Sequence, residues 1–360
     1  MCLVVAVSVV TGCRRSTTPG NAPARNAPPA ATASAPATQL ASAPAPVMVW
    51  ESAGQLLLAR GKAVLAGQLI LAREALAETG RQAAGDPKIL IHAADRALAV
   101  GNGPLAIDLF SRTSQLAPDN VDALMGLAMA QVSLNRYAQA IETYHRLLAL
   151  RSTDTTVRFN LAVALSLTQQ LDEAAAEYEQ ILQGDADHFR ARYNLAVLRQ
   201  AQGKFDDARS QYKLLLEHAE KLAPADAAAA WSGYGEVLVE SGEVEQAFTA
   251  YSQAAKARPE DAAAWLNLAN AARGTGRYGV AVAACKRAAK LEPLQAGVWA
   301  RMGEVYLELH RATKDPRHLA EAVECWDLSL RINPRQDALR KLVDTYRATT
   351  SQPTQPAPGH

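Results

Sequence analysis

The chain has 360 residues, of which 49% are hydrophobic and only 6% aromatic, so its apolar share is mostly small or aliphatic. Lys and Arg (37) nearly balance Asp and Glu (36), and the net charge of +1 excludes the strongly basic surface of a typical nucleic-acid-binding protein. No apolar run reaches the roughly eighteen residues that a membrane-spanning helix needs. Four cysteines without a C-x-x-C pair exclude a disulfide scaffold and a paired-cysteine zinc site.

Residues 1–13 predict an acylated N-terminus. A short apolar run at 3–10 is followed by V-T-G-C at 10–13, which resembles the lipobox of bacterial lipoproteins. The resemblance implies a signal peptide that is removed before Cys13, a diacylglyceryl group on the Cys13 sulfur and, because Arg14 rather than Asp follows, the periplasmic face of the outer membrane. Acyl chains contribute about 0.8 kcal/mol per buried CH₂ and so anchor a protein without a spanning helix. The alternative is a cytoplasmic protein with a mildly apolar N-terminus.

Two segments are predicted to be disordered. Residues 14–48 consist mainly of Pro, Ala, Ser and Thr, and the tail at 349–360 has the same character. Such segments cannot bury enough apolar surface to offset the entropy lost on ordering. Because frequent Pro favours extended, semi-rigid spacing, we expect residues 14–48 to be a tether that holds a folded domain away from a membrane.

The chain between these segments follows a 34-residue period. One series of alanines is repeated eight times, at Ala72, Ala106, Ala140, Ala174, Ala208, Ala247, Ala281 and Ala322. A larger side chain lies four residues after each alanine, at Leu76, Phe110, Tyr144, Tyr178, Tyr212, Tyr251, Cys285 and Trp326. A second series of small residues keeps the same period, at Ala94, Ala128, Ala162, Ala196, Gly235, Ala269 and Gly303.

These residues resemble the tetratricopeptide repeat, and the resemblance covers residues 53–337. It implies an all-α fold, a right-handed α-solenoid of about eight helix-turn-helix units. The small residues let paired helices approach closely, and the large residue fills the space beside them. The predicted units span 53–86, 87–120, 121–154, 155–188, 189–222, 228–261, 262–295 and 296–337.

Glycines and prolines predict where the helices of each unit turn and end. The turn between paired helices is expected at Gly203, Gly242 and Gly276, because glycine adopts a positive φ at little cost. The second helices are expected to end at Pro118, Pro259, Pro293 and Pro334.

Two insertions and a final helix interrupt the period. Ala223 to Ala227 is predicted to separate two units, and residues 311–318 to lengthen the last hairpin. Residues 337–347 carry apolar side chains on one stripe and predict an amphipathic helix that caps the end of the solenoid.

No motif predicts catalysis, a metal site or a cofactor. Residues 274–279 match G-x-G-x-x-G, but they fall on a predicted helix-helix turn and not after a strand. The seven histidines form no H-E-x-x-H, and no G-x-S-x-G elbow occurs. Cys285 and Cys325 are interpreted as buried free thiols, with a disulfide between neighbouring second helices as the alternative.

The resemblance also implies a concave groove, lined by the first helix of each unit, that holds an extended peptide or a partner helix. A carboxamide both donates and accepts, so asparagines there can pair with a peptide backbone; the alternative is that they bond only within the fold. Gly126 and Gly233 interrupt this asparagine series. The predicted groove residues are Phe159, Asn160, Arg190, Tyr193, Asn194, Glu236, Asn267, Asn270 and Arg301.

The sequence therefore predicts a non-catalytic, lipid-anchored scaffold for envelope assembly. Its expected partners are a protein or peptide and, through Cys13, a membrane; neither nucleic acid nor a small-molecule substrate is expected. A cytosolic adaptor or regulator, and a partner that recruits substrates to an enzyme on another chain, are the alternatives.

Overall fold

The computed structural model describes residues 85–350, and within this range every regular element is helical. Cys13 with its lipobox, the tether at 14–48 and all but the last two residues of the predicted unit at 53–86 lie outside the described residues. The described helices are α1 (Pro87–Ala99), α2 (Gly103–Leu116), α3 (Val121–Ser133), α4 (Tyr137–Leu150), α5 (Thr155–Leu167), α6 (Leu171–Gly184), α7 (Phe189–Ala201), α8 (Phe205–Leu216), α9 (Pro224–Glu240), α10 (Val244–Ala257), α11 (Ala262–Gly274), α12 (Tyr278–Leu291), α13 (Ala296–Thr313), α14 (Pro316–Ile332) and α15 (Asp337–Thr350).

The helices form hairpins in two compact units. Unit 1 extends to Ile181, in the last turn of α6, and unit 2 begins at Leu182. The odd-numbered helices from α1 to α13 are the first helices of the hairpins, and the even-numbered helices are the second helices. In each unit a first helix packs on its own second helix, and that second helix packs on the next hairpin.

Small and large residues meet inside every described hairpin, as the repeat series predicts. The alanines from Ala106 to Ala322 in the second-helix series are completely buried, and the aromatic rings from Phe110 to Tyr212 are buried with them. Glycine appears where the approach is closest. A Cβ at Gly235 would lie 2.7 Å from the Tyr251 ring, and one at Gly303 would overlap the Trp326 indole.

The predicted glycine turns are confirmed. Gly203, Gly242 and Gly276 have φ values of 72°, 76° and 72°, in the left-handed region that glycine adopts without strain. Each turn satisfies the last carbonyl groups of the first helix; for example, the amide of Gly203 donates to the Gln200 carbonyl and the amide of Lys204 to the Arg199 carbonyl, both at 2.9 Å. The predicted prolines lie two residues beyond the ends of α2, α10, α12 and α14.

The first of the two insertions is placed differently from the sequence prediction. Residues 223–227 were predicted to separate two units, but α9 already begins at Pro224, so most of the insertion is helical. Proline is well suited to the first position of a helix, and the alanines after it favour helix. The residues inserted near 311–318 lengthen α13 to 18 and α14 to 17 residues, and the turn between them stays short, at Lys314 (φ 58°).

The final helix α15 covers the end of unit 2. Val343 is buried, and Tyr346 packs against the Trp326 ring at a centroid distance of 5.9 Å. Leu339 and Leu342 contact the same core. The helix runs to Thr350, two residues into the predicted tail, and the remaining tail residues are outside the described range.

Candidate functional site

The first helices of unit 2 lie side by side and carry polar residues on a shared surface. Helix α7 contacts α9, α9 contacts α11, and α11 contacts α13. Side chains from these four helices are half-buried or partly exposed and interact from helix to helix. We call this surface the polar face; its residues are Gln200, Glu236, Glu240, Asn270, Arg273, Arg301, Glu304 and Glu308.

Glu236 on α9 lies at the centre of the polar face. Its Oε2 accepts a hydrogen bond from Nε2 of Gln200 on α7 at 3.3 Å. Burial raises the pKa of the Glu236 carboxyl, and the nearby charge of Glu240 raises it further, whereas the Gln200 hydrogen bond lowers it. Among the described residues, neither Glu236 nor Glu240 forms an ion pair.

Tyrosine hydroxyl groups approach Glu236 from the core. Tyr193 and Tyr212 pack edge to face with a centroid distance of 6.0 Å, and the Tyr212 hydroxyl reaches α9 at Gly233. Burial is the main cause of a raised pKa in both tyrosines, and the charge of Glu236 adds to it. Neither hydroxyl has a hydrogen-bond partner within residues 85–350.

The C-terminal part of the polar face contains paired charges. Arg301 bonds to Glu304 at 3.1 Å, and Arg273 lies 4.0 Å from Glu308. Asn270 Oδ1 and Arg273 Nε are buried without a partner. Arg311 also lies 3.3 Å from Glu308, so three arginines of α11 and α13 share two glutamates. Within the described residues, the two carboxylates of α9 form no such pair.

Four of the predicted groove residues lie in the core instead. Phe159 is completely buried, and Asn160, Tyr193 and Asn194 are 3%, 1% and 2% exposed, so none of them has surface for a ligand. Phe159 and Tyr193 are held by edge-to-face contacts with the large residue of their own hairpin, for example with Tyr178 at 5.8 Å. At the position of Phe159 and Tyr193, the side chain packs against the second helix of its own hairpin. At the next position, Asn160 and Asn194 are buried, whereas Asn267 is half-buried.

The other predicted residues keep partly exposed side chains. Glu236, Asn270 and Arg301 are on the polar face, and Asn267 is half-buried on α11. Arg190 is also half-buried, with its guanidinium carbon 5.5 Å from the centroid of the Phe189 ring.

Gly126 and Gly233 have a packing role that the sequence interpretation missed. A Cβ at Gly126 would overlap the Phe110 ring, and one at Gly233 would overlap the Tyr212 phenol. These glycines therefore make room for an aromatic side chain of the preceding hairpin, and the interrupted asparagine series follows from packing.

Gln200 is the polar-face residue that sequence reasoning missed. It occupies the same repeat position as Arg273. Val239 lies 39 residues after Gln200 and Arg273 lies 34 residues after Val239, which are the spacings between these units in the alanine series. Comparing this later position of the first helix between units, instead of the asparagine position, would have identified it.

Cys285 and Cys325 are buried and unbonded, as the free-thiol interpretation predicts. Burial raises the pKa of both thiols to about 12, so both are protonated at neutral pH. In the described part of the chain, no helix is long and apolar enough to cross a membrane, and no group of three metal-ligating side chains comes together.

Comparison with known proteins identifies the repeat. Two models of the tetratricopeptide repeat match the chain, one at residues 97–158 and 165–232 and the other at 235–296. Together these stretches cover just over half of the sequence. No curated protein matches it significantly.

Solved structures share this fold at low identity. The C-terminal part of a TPR repeat-containing protein from Cytophaga hutchinsonii is 15% identical, with a TM-score of 0.58, covering 70% of this chain and 98% of that one. A tetratricopeptide repeat protein from Parabacteroides merdae is 16% identical, with a TM-score of 0.51 over 72% and 98% of the two chains. PilF from Pseudomonas aeruginosa is 15% identical, with a TM-score of 0.49 over 62% and 97%. At these identities the likeness concerns the fold alone.

Proposed function

Because the chain belongs to the tetratricopeptide repeat family, we propose that it is a non-catalytic interaction scaffold that binds an extended segment of a partner protein on the polar face of unit 2. The observation that carries this proposal is that three buried polar atoms of the polar face have no partner among the described residues: Gln200 Oε1, Asn270 Oδ1 and Arg273 Nε. A buried polar atom left unpaired costs about 1–3 kcal/mol, and native proteins keep few of them. A peptide backbone offers both amides and carbonyls at regular spacing and would satisfy such atoms.

Photo-crosslinking with a matched pair of positions tests this function. Val239 lies on α9 beside the polar face and is 45% exposed; Val280 lies on the second helix α12 and is 42% exposed. We would replace each with benzoylphenylalanine in the full-length chain, in cells of the source organism. The proposal predicts adducts to a protein partner at position 239 and not at 280. Equal adducts at both positions, or adducts at 280 alone, would contradict it.

We further propose that a lipid on Cys13 anchors the scaffold to the outer membrane, facing the periplasm, where it serves envelope assembly. The V-T-G-C sequence at 10–13 and the Pro/Ala-rich stretch that follows support this. One lipid chain gives only marginal binding, whereas two or three anchor a protein stably.

Radiolabelled palmitate tests the anchor. Label is expected on the wild type and on Cys285→Ala, and is expected to be lost in Cys13→Ala, which would leave the membrane fraction. A wild type that is unlabelled and soluble would contradict the anchor and favour a cytoplasmic adaptor.

A further inference from the structure

Helix α9 carries an excess of negative charge on the polar face. Glu236 and Glu240 are four residues apart and therefore share one side of the helix. The cations of the neighbouring first helices bond elsewhere: Arg273 of α11 lies 4.0 Å from Glu308, and Arg199 of α7 donates to Gln202 Oε1. The polar face thus has one region whose charge the protein itself does not balance.

The groups around Glu236 also have acceptor atoms that nothing in the described chain satisfies. Tyr193 is 1% exposed and Tyr212 is completely buried, yet the hydroxyl of each has no partner. Gln200 donates to Glu236 through Nε2, which leaves its buried Oε1 without a donor. Carboxylate and amide oxygens accept hydrogen bonds, whereas a phenol both donates and accepts, so Glu236 and Gln200 Oε1 offer acceptors to a ligand that carries donors.

We propose that α9 binds the cationic side chain of a Lys or Arg in the partner segment, with Glu236 as its ion-pair partner and Glu240 at the rim. This inference rests on the proposed function and names the chemistry that the polar face selects. A lysine ammonium has three N–H donors and an arginine guanidinium has five, enough to pair with the Glu236 and Glu240 carboxylates.

The negative charge of Glu236 and Glu240 disfavours acidic and apolar side chains at this site. A carboxylate buried without a counter-ion is unfavourable, and pairing with a cation removes that penalty. An acidic side chain would place a third negative charge beside Glu236 and Glu240, and an apolar one would leave the acceptors unpaired.

Selection from a random nonapeptide library tests the inference. The full-length wild type, Glu236→Gln and a control, Glu324→Gln, would be immobilised, and the bound peptides sequenced. Glu324 is an exposed residue of the second helix α14, so its change removes the same charge away from the polar face. We expect at least tenfold enrichment of peptides with a central Lys or Arg on the wild type and on Glu324→Gln, and loss of that enrichment on Glu236→Gln.

The other outcomes separate this inference from the function it rests on. Enrichment of acidic or apolar peptides, or Lys/Arg enrichment that survives in Glu236→Gln, would overturn the cation site and leave peptide binding intact. If no peptide is enriched on any of the three proteins, both the cation site and the proposed groove are wrong. Circular dichroism melting curves of all three show that loss of binding is not loss of folding, since replacing a buried carboxylate with its neutral isostere is not expected to unfold the protein.

Discussion

The first helices of unit 1 and unit 2 share one packing plan but differ in charge. In unit 1, α3 and α5 each contain a single charged residue, Asp122 and Arg158, whereas α1 contains Lys88, Asp95 and Arg96. In unit 2, α9 contains three acidic residues, and α13 contains Arg301, Glu304, Glu308 and Arg311.

The buried positions of the two units are nevertheless equivalent. Ala128 in unit 1 and Ala269 in unit 2 are both completely buried at the same repeat position. Packing therefore fixes the small and large residues in every hairpin, whereas the outer positions of the first helices are free to differ. Helix α9, with three acidic residues and no basic one, has no counterpart among the described first helices of unit 1, and we propose that recognition takes place there.

Removing the large buried residue of a hairpin should cause the largest loss of stability. Making this change in each unit tests whether the residue contributes equally to the stability of both. Trp326→Ala in unit 2 and Phe110→Ala in unit 1 each empty a completely buried site. Each should lower the free energy of unfolding by about 3–5 kcal/mol. Trp326→Ala should cost more, because the indole Nε1 also donates to the Ala300 carbonyl at 3.1 Å. Urea denaturation followed by circular dichroism measures both; a loss below about 1 kcal/mol in either would contradict equivalent packing.

A smaller effect is expected where glycine makes room for that residue. Gly126→Ala would press a methyl group into the Phe110 ring and should cost about 1–3 kcal/mol through overpacking. Gly279→Ala on α12 is the control, because no atom lies within 4 Å of its added Cβ. That change should be neutral or stabilise by up to about 1 kcal/mol, since alanine favours helix. The same denaturation measurement applies, and equal costs at both sites would refute the packing role of Gly126.

The smallest stability effect concerns the charge of the polar face. Because the pKa of Glu236 is raised in the folded state above 4.5, the folded chain binds its proton more tightly than the unfolded chain. The wild type therefore loses stability as pH rises from about 4.5 through the raised pKa. Glu236→Gln lacks this loss, so its melting temperature should exceed that of the wild type at pH 7.

The pH dependence supplies the control for this prediction. The difference in melting temperature should shrink as the pH falls towards 4, where the wild-type carboxyl is protonated in both states. Glu240 is the other carboxyl that acts on Glu236, and it remains in both proteins. A Glu236→Gln protein that is less stable than the wild type at neutral pH would mean that the folded protein favours the charged carboxyl.

Sequence periodicity was enough to predict the hairpins, because their packing repeats every 34 residues. The small and large residues that pack against each other can be recognised from residue type alone. The turn glycines could also be predicted from the sequence, since a positive φ restricts the residue type. The groove residues could not be predicted, as Asn160 and Asn194 show, because a half-turn of helix separates a ligand-facing position from a core position. An asparagine is compatible with both. Gln200 was missed because its role depends on Glu236, a residue 36 positions away that only the fold brings near.

We propose that a partner protein is recognised on the polar face of unit 2. Hydrogen exchange of the full chain, with and without an Arg-containing peptide obtained from the library, tests it most directly. We predict slowed amide exchange in α9 and α11, with no change in α1, α3 and α5. Slowed exchange in the first helices of unit 1, or unchanged exchange throughout at saturating peptide, would contradict the claim.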